Sequence, residues 1–212
     1  MDTDNRIYVW DKFVRLFHWS LVLLFMLCYI SGDEIEWVHV NAGYIITGLI
    51  SLRIIWGLIG SRYAKFHQFI YSPRSILNYT KSLFGGKPKH YLGHNPLGGV
   101  MVLTMLLTLT TITFSGLKLY AVEEGLGPFA SVSEQSLSII SSAYGDDEWD
   151  FKERDHDDHE EDFWEDIHEA SANLMLFLII LHIAGVIISS RVHDESLVKA
   201  MINGYKSPST EE

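Results

Sequence analysis

Four stretches of this chain are nearly free of charge, and each has the length of a membrane crossing. Residues 16–32, 95–117 and 170–190 carry no Asp, Glu, Lys or Arg, and residues 40–59 carry only Arg53. A helix needs about 20 apolar residues to cross a hydrocarbon core of roughly 30 Å. A soluble helix of that length would keep a polar stripe, and these stretches leave little polar face to dissolve a bundle. The predicted spans run over about 13–32, 39–60, 96–118 and 168–190. The expected fold is therefore all-α: an integral membrane four-helix bundle forming one domain. The acidic start, Met1-Asp-Thr-Asp, and the lack of a small-x-small cleavage pattern after the first apolar run predict that this helix is retained, not removed as a signal peptide.

The loops set an expected orientation, because Lys and Arg accumulate on the cytoplasmic side of a membrane. Arg6, Lys12 and Arg15 precede the first span. Arg62, Lys65, Arg74, Lys81, Lys87 and Lys89 lie between the second and third, and Arg191, Lys199 and Lys206 follow the fourth. The other side holds Asp33, Glu34 and Glu36, and then a long segment over about 120–166 rich in Asp and Glu. Both termini are thus expected in the cytoplasm, with that acidic segment an external loop. The basic connection also contains 72–84, whose apolar residues recur at helical spacing between Arg74 and Lys81; it is predicted to form a short helix in the membrane interface. Nothing in this pattern suggests a nucleic-acid partner.

Ten histidines are many for 212 residues. His18, His39, His168 and His182 lie in the spans or at their ends. His168 and His182 are 14 residues apart, almost four helical turns, so they share a face about 21 Å apart along the axis. Depth then sorts the four. On the orientation above, His39 and His168 both sit near the outer surface, whereas His18 and His182 both sit nearer the inner one. Neutral imidazole is a good axial ligand for haem iron, and two of them fill both axial positions. The simplest reading is two haem b groups, one held by His18 and His182 and the other by His39 and His168. The single cysteine, Cys28, and the absence of a Cys-x-x-Cys-His motif exclude a covalently attached c-type haem within this chain.

Two haems bring four propionates, which need cations. Arg15 stands three residues before His18, and Arg53 is the only charge inside the second span. An intramembrane Arg needs a partner, and a propionate of the inner haem is expected; snorkelling to the surface is the alternative. Gly43, Gly185 and Ala172 lie three or four residues from the ligands, where a small side chain admits either a macrocycle or a neighbouring helix. His156 and His159, among Asp155, Asp157, Asp158 and Glu160, form a candidate divalent-metal site, against which stands a solvated acidic loop. His94 opens the third span and either caps it or meets a quinone or propionate. His67, His90 and His193 are expected at the surface.

The segments Val9-Trp-Asp-Lys-Phe-Val-Arg-Leu-Phe-His-Trp, His39-Val-Asn-Ala-Gly, Tyr91-Leu-Gly-His-Asn-Pro-Leu-Gly-Gly, His168-Glu-Ala-Ser-Ala-Asn-Leu and Leu181-His-Ile-Ala-Gly together resemble the bacterial cytochrome b561 family, which includes the b-type cytochrome subunits of nickel-iron hydrogenases. The resemblance implies two b haems in the bacterial cytoplasmic membrane. It carries the family's haem-ligand roles onto His18, His39, His168 and His182, and implies electron transfer between membrane quinone and a partner protein. The acidic segment would favour a cationic external partner, such as a basic c-type cytochrome or a hydrogenase-like subunit. Two further readings are a quinone-coupled superoxide oxidase and, outside redox chemistry, a divalent-metal or proton transporter.

Overall fold

The computed structural model describes residues 6–32, 35–86, 88–130 and 149–206. A short strand β1 (Ile7–Tyr8) leads into helices α1 (Lys12–Ser31) and α2 (Glu36–Ile59). Two 3-10 turns, Arg62–Ala64 and Phe66–Gln68, precede α3 (Pro73–Phe84). Then come α4 (Pro96–Glu124), α5 (Trp149–Val192), α6 (Leu197–Asn203) and β2 (Tyr205–Lys206). Four of these helices are long and apolar enough to cross a membrane: α1, α2, α4 and the His159–Val192 part of α5. Their large apolar side chains are widely exposed, including Leu23, Ile59, Leu107 and Ile180. Water would penalise such a surface, and a lipid phase would not.

Local chemistry sets the helix starts. The Asp11 carboxylate accepts from the Val14 amide at 2.8 Å and caps α1. The Ser72 hydroxyl accepts from Ser75 ahead of Pro73, the first residue of α3. Asn95 caps α4, its side-chain oxygen accepting from the Gly98 amide at 2.7 Å. Each bond satisfies one of the amides a helix leaves without an internal partner. The expected all-α class gains one small addition: β1 and β2 pair antiparallel, Ile7 opposite Lys206 and Tyr8 opposite Tyr205.

The expected loop over 120–166 is corrected at both ends. The α4 helix runs on to Glu124, and α5 begins at Trp149. Glu is a good helix former, and a helix need not stop where its apolar run stops. At 1.5 Å per residue, a helix of 44 residues is roughly 66 Å long, about twice the hydrocarbon thickness. Its acid-rich N-terminal part therefore extends beyond any hydrocarbon layer. Local pairs support it: the Trp164 indole donates to Glu160 at 3.3 Å, and Asn173 donates to Glu169 at 3.5 Å, both at a spacing of four. Residues 131–148 and the side chains of 149–158, His156 among them, lie outside the described part.

The chain packs as two compact units, one of Met1–Leu107 with Leu176–Glu212 and one of Thr108–Met175. In the first, α1 packs beside α2, and α2 buries the stripe Ala42, Ile46, Ile50, Arg53 and Gly57. Its core gathers Val9, Trp10, Val14, Ala64 and Ala200, with Trp56 and Tyr63 against them. Asp11 ties this end together by accepting from the Trp56 indole at 3.0 Å and from the Ser61 hydroxyl. Gly99 lets the Phe69 backbone approach α4, since a Cβ there would stand 2.2 Å from the Phe69 carbonyl oxygen. In the second unit, Phe114, Phe129 and Trp164 stack edge to face, and the Lys118 ammonium lies over the Phe129 and Trp164 rings at 5.4 and 5.7 Å.

Candidate functional site

Within the first unit, α1 and α5 bring the rings of His18 and His182 close to each other. Their ring centroids are 6.4 Å apart and their planes are inclined by 51°. That is too close for an intervening side chain. A metal–nitrogen bond of about 2 Å, plus about 1 Å from nitrogen to ring centre on each side, places the centroids of two opposed imidazoles on one metal about 6 Å apart. The observed spacing fits an iron between the rings. The His18 Nδ1 is buried without a partner.

The two predicted arginines each keep an unused donor. Arg15 Nη1 donates to the Ile202 carbonyl, while its Nε is buried and unpartnered. Arg53 is only 4% exposed. Its Nη2 donates to the Ala64 carbonyl at 3.2 Å and its guanidinium lies 5.3 Å from the centre of the Phe66 ring. Its Nη1 is buried with no partner. Arg53 thus reaches toward the basic end, as snorkelling requires, yet keeps a buried N–H in hand. Leaving such charged donors unmade is expensive, and an anionic group fits them. Open space also lies beside Gly43 and Gly185, where an added Cβ would meet nothing within 4 Å.

The other two histidines are oriented by a shared device, each within its own unit. His39 Nδ1 lies 3.0 Å from the Cys28 carbonyl oxygen of α1, and the Cys28 thiol points back at the His39 carbonyl at 3.8 Å. His168 Nδ1 lies 3.0 Å from the Ile112 carbonyl oxygen of α4 and 3.3 Å from the Ser115 hydroxyl. A carbonyl only accepts, so Nδ1 carries the proton in both rings and Nε2 is the nitrogen suited to a metal. Gly116 completes the seat of His168: a Cβ there would stand 2.9 Å from the ring's Cε1. Ser115, fully buried, and Gly116 escaped the sequence reading, which sought small residues only on the histidines' own helices. The adjacent small pair in an apolar helix is the signal that could have found them.

Several expectations are corrected. His94 does not cap α4, because Asn95 does. Its ring instead packs against Trp10 and Phe69 with centroids 4.7 and 4.8 Å away, and its Nδ1 is buried without a partner. Burial, reinforced by the charges of Arg53 and Lys206, pushes its pKa down to about 3, so the ring is neutral at ordinary pH. His90 and His193 are partly buried rather than at the surface. His90 Nε2 lies 3.4 Å from Glu195, which also pairs with the buried Lys206 at 3.0 Å, and the two imidazoles meet edge to face. His67 is exposed, as expected. His159 is exposed on α5, and among the described residues no group of three or more His, Cys, Asp or Glu could hold a metal ion.

A profile of the prokaryotic cytochrome b561 family matches residues 9–204. Among curated proteins, the chain is 24% identical to a probable Ni/Fe-hydrogenase B-type cytochrome subunit of Rhodobacter capsulatus, over 96% of this chain and 82% of that protein. It is likewise 24% identical to the subunit of that name from Azotobacter chroococcum mcd 1, over 96% and 89%. It is 22% identical to a probable Ni/Fe-hydrogenase 1 B-type cytochrome subunit of Escherichia coli (strain K12), over 97% and 93%. No solved structure matches. The match spans all four apolar helices and the histidines on them, and the chain belongs to the prokaryotic cytochrome b561 family.

Proposed function

We propose that this chain is a membrane cytochrome holding two b haems, and that it carries electrons between the quinone pool and an external redox protein in the respiratory chain of a bacterial inner membrane. The observation that carries this reading is the approach of the His18 and His182 rings to 6.4 Å, the spacing of a bis-histidine iron. An iron held on both faces supplies one-electron transfer and leaves no open position for oxygen. His18 and His182 hold the inner group. Arg15 Nε and Arg53 Nη1 are the buried donors for its propionates. His39 and His168 hold the outer group. Their matched depth in the sequence supports this, as does the Nδ1–carbonyl bond each makes inside its own unit. The apolar side chains around the pairs keep water out and so set the potentials.

Both termini face the cytoplasm in this reading, by the excess of Lys and Arg at that end. The acid-rich start of α5 then faces outward and attracts a cationic partner. The relatives' names point to a hydrogenase subunit as that partner, and a basic c-type cytochrome has the same charge logic. The test is His182→Ala. The variant should lose the inner haem and keep most of the outer one, read by pyridine haemochrome and the reduced spectrum. Loss of both haems together, or of neither, would overturn the pairing.

A further inference from the structure

The connection from α2 to α4 leaves and returns at the basic end, and its two arms, residues 62–71 and 89–94, enclose an open cleft of about 330 Å³. We propose that this cleft binds the phosphate of an anionic phospholipid from the leaflet it opens on. Arg62 and Lys89 line opposite arms, and Gln68, Tyr63, Tyr71 and Tyr91 supply polar and aromatic walls. Among the described residues no Asp or Glu lines the cleft. Among the described residues neither Arg62 nor Lys89 has a carboxylate partner. Aromatic faces hold both cations instead: the Arg62 guanidinium lies 5.6 Å from the centre of the Tyr63 ring, and the Lys89 ammonium 5.9 Å from that of Tyr91. Glu195, which meets the cleft residue His90, pairs with the buried Lys206. Two cations without acids across a hollow of this size form a site for a phosphate, by charge and by hydrogen bonding.

The surroundings identify the source of the phosphate as a lipid. Ile70, between two cleft residues, is 61% exposed, and so is Leu77 on α3. On α3, Arg74 and Lys81 lie three residues before and four after Leu77, on its face of the helix. An exposed leucine between two long cationic side chains is the pattern of a helix lying in a membrane interface, with its cations reaching the head groups. The cleft thus opens where head groups are densest, and the exposed Ile70, between the cleft residues Phe69 and Tyr71, offers an apolar contact for an acyl chain. A soluble phosphate would gain nothing from that apolar shoulder. The inference does not depend on haem ligation, because none of its residues is a proposed iron ligand.

The test uses the purified, haem-loaded full chain in a lipid-free detergent. It is titrated with dioleoyl phosphatidylglycerol or dioleoyl phosphatidylcholine and followed by native mass spectrometry. Phosphatidylglycerol should bind the more tightly. Removing each cation should cost about fivefold, so Arg62→Ala with Lys89→Ala should weaken it about 25-fold. Arg191→Ala, an exposed cation outside the cleft, should leave it unchanged. Unaltered haem content in the double variant shows that it folds. Equal binding of the two lipids, or full binding by the double variant, would overturn the proposal. So would displacement of the lipid by an equal concentration of inorganic phosphate, which marks a free-anion site, or by a short-chain quinone, which marks a quinone pocket.

Discussion

Gly116→Ala is the smallest change that reaches a proposed haem ligand. The added methyl would stand 2.9 Å from Cε1 and 3.1 Å from Nδ1 of His168. Carbon atoms rest about 3.5–4.0 Å apart, so the ring must withdraw by about 0.6 Å or more. Its Nδ1 lies 3.0 Å from the Ile112 carbonyl oxygen, and a separation near 3.6 Å is no longer a hydrogen bond. The displaced ring loses the bond that sets its tautomer and its aim. Overpacking of this kind costs about 1–3 kcal/mol, equivalent to roughly 5- to 150-fold in outer-haem affinity. Ser115→Ala is the milder companion: it removes the 3.3 Å contact to the ring and the hydroxyl's own bonds to the Thr111 and Ile112 carbonyls, and leaves the bond from His168 to the Ile112 carbonyl in place. The assay is haem titration of the apoprotein, with the potential of each haem read from a redox-monitored spectrum. Gly116→Ala should weaken and shift the outer haem while the His18–His182 haem keeps its potential. An outer haem of unchanged affinity and potential would refute the seat described for His168.

Three other outcomes follow from the same geometry. His94 is neutral in the folded chain down to about pH 3, whereas its ordinary value is 6.5. The unfolded chain therefore binds the extra proton first, and stability should fall as pH drops from about 6.5 toward 3, by up to about 1.4 kcal/mol per pH unit; thermal melts of His94→Asn should lack that slope. Burial raises the Asp11 carboxyl, but its bonds from Ser61, Val14 and Trp56 together hold it below the usual carboxylate range. Its contribution is thus present above that range and is lost only as pH falls through the depressed value; Asp11→Ala should destabilise the basic end by about 2 kcal/mol, measured by thermal unfolding. Replacing Glu160, Asp162 and Glu165 with their amides should slow reduction by a basic c-type cytochrome at low ionic strength and change little at high salt, since steering by exposed charge is screened; an unchanged salt dependence in stopped-flow kinetics would deny α5 a steering role.

The membrane helices were legible because crossing a hydrocarbon core imposes one length and one polarity. The closeness of His18 and His182 was legible because helical spacing and a charge-based orientation assign depth. What failed had a different physical origin. The segment 149–166 was read as loop because hydropathy reports where a helix leaves apolar surroundings, not where its backbone stops hydrogen bonding. Ser115 and Gly116 were missed because they act across a helix–helix contact, which spacing along one chain does not reveal. His94 looked like a cap from its place before Pro96, yet Asn95 takes that role and turns the histidine inward between Trp10 and Phe69. The partners Arg53 meets, the Ala64 carbonyl and the Phe66 ring, come from a turn whose path the sequence does not specify.

The most direct test of the central claim is the number of haems per chain, measured by pyridine haemochrome on the purified protein alongside its reduced-minus-oxidised spectrum. Two b haems per chain, with two resolved reduced bands, is the predicted result. A colourless protein would contradict the cytochrome assignment itself. A single haem would contradict the second pair of ligands, His39 and His168.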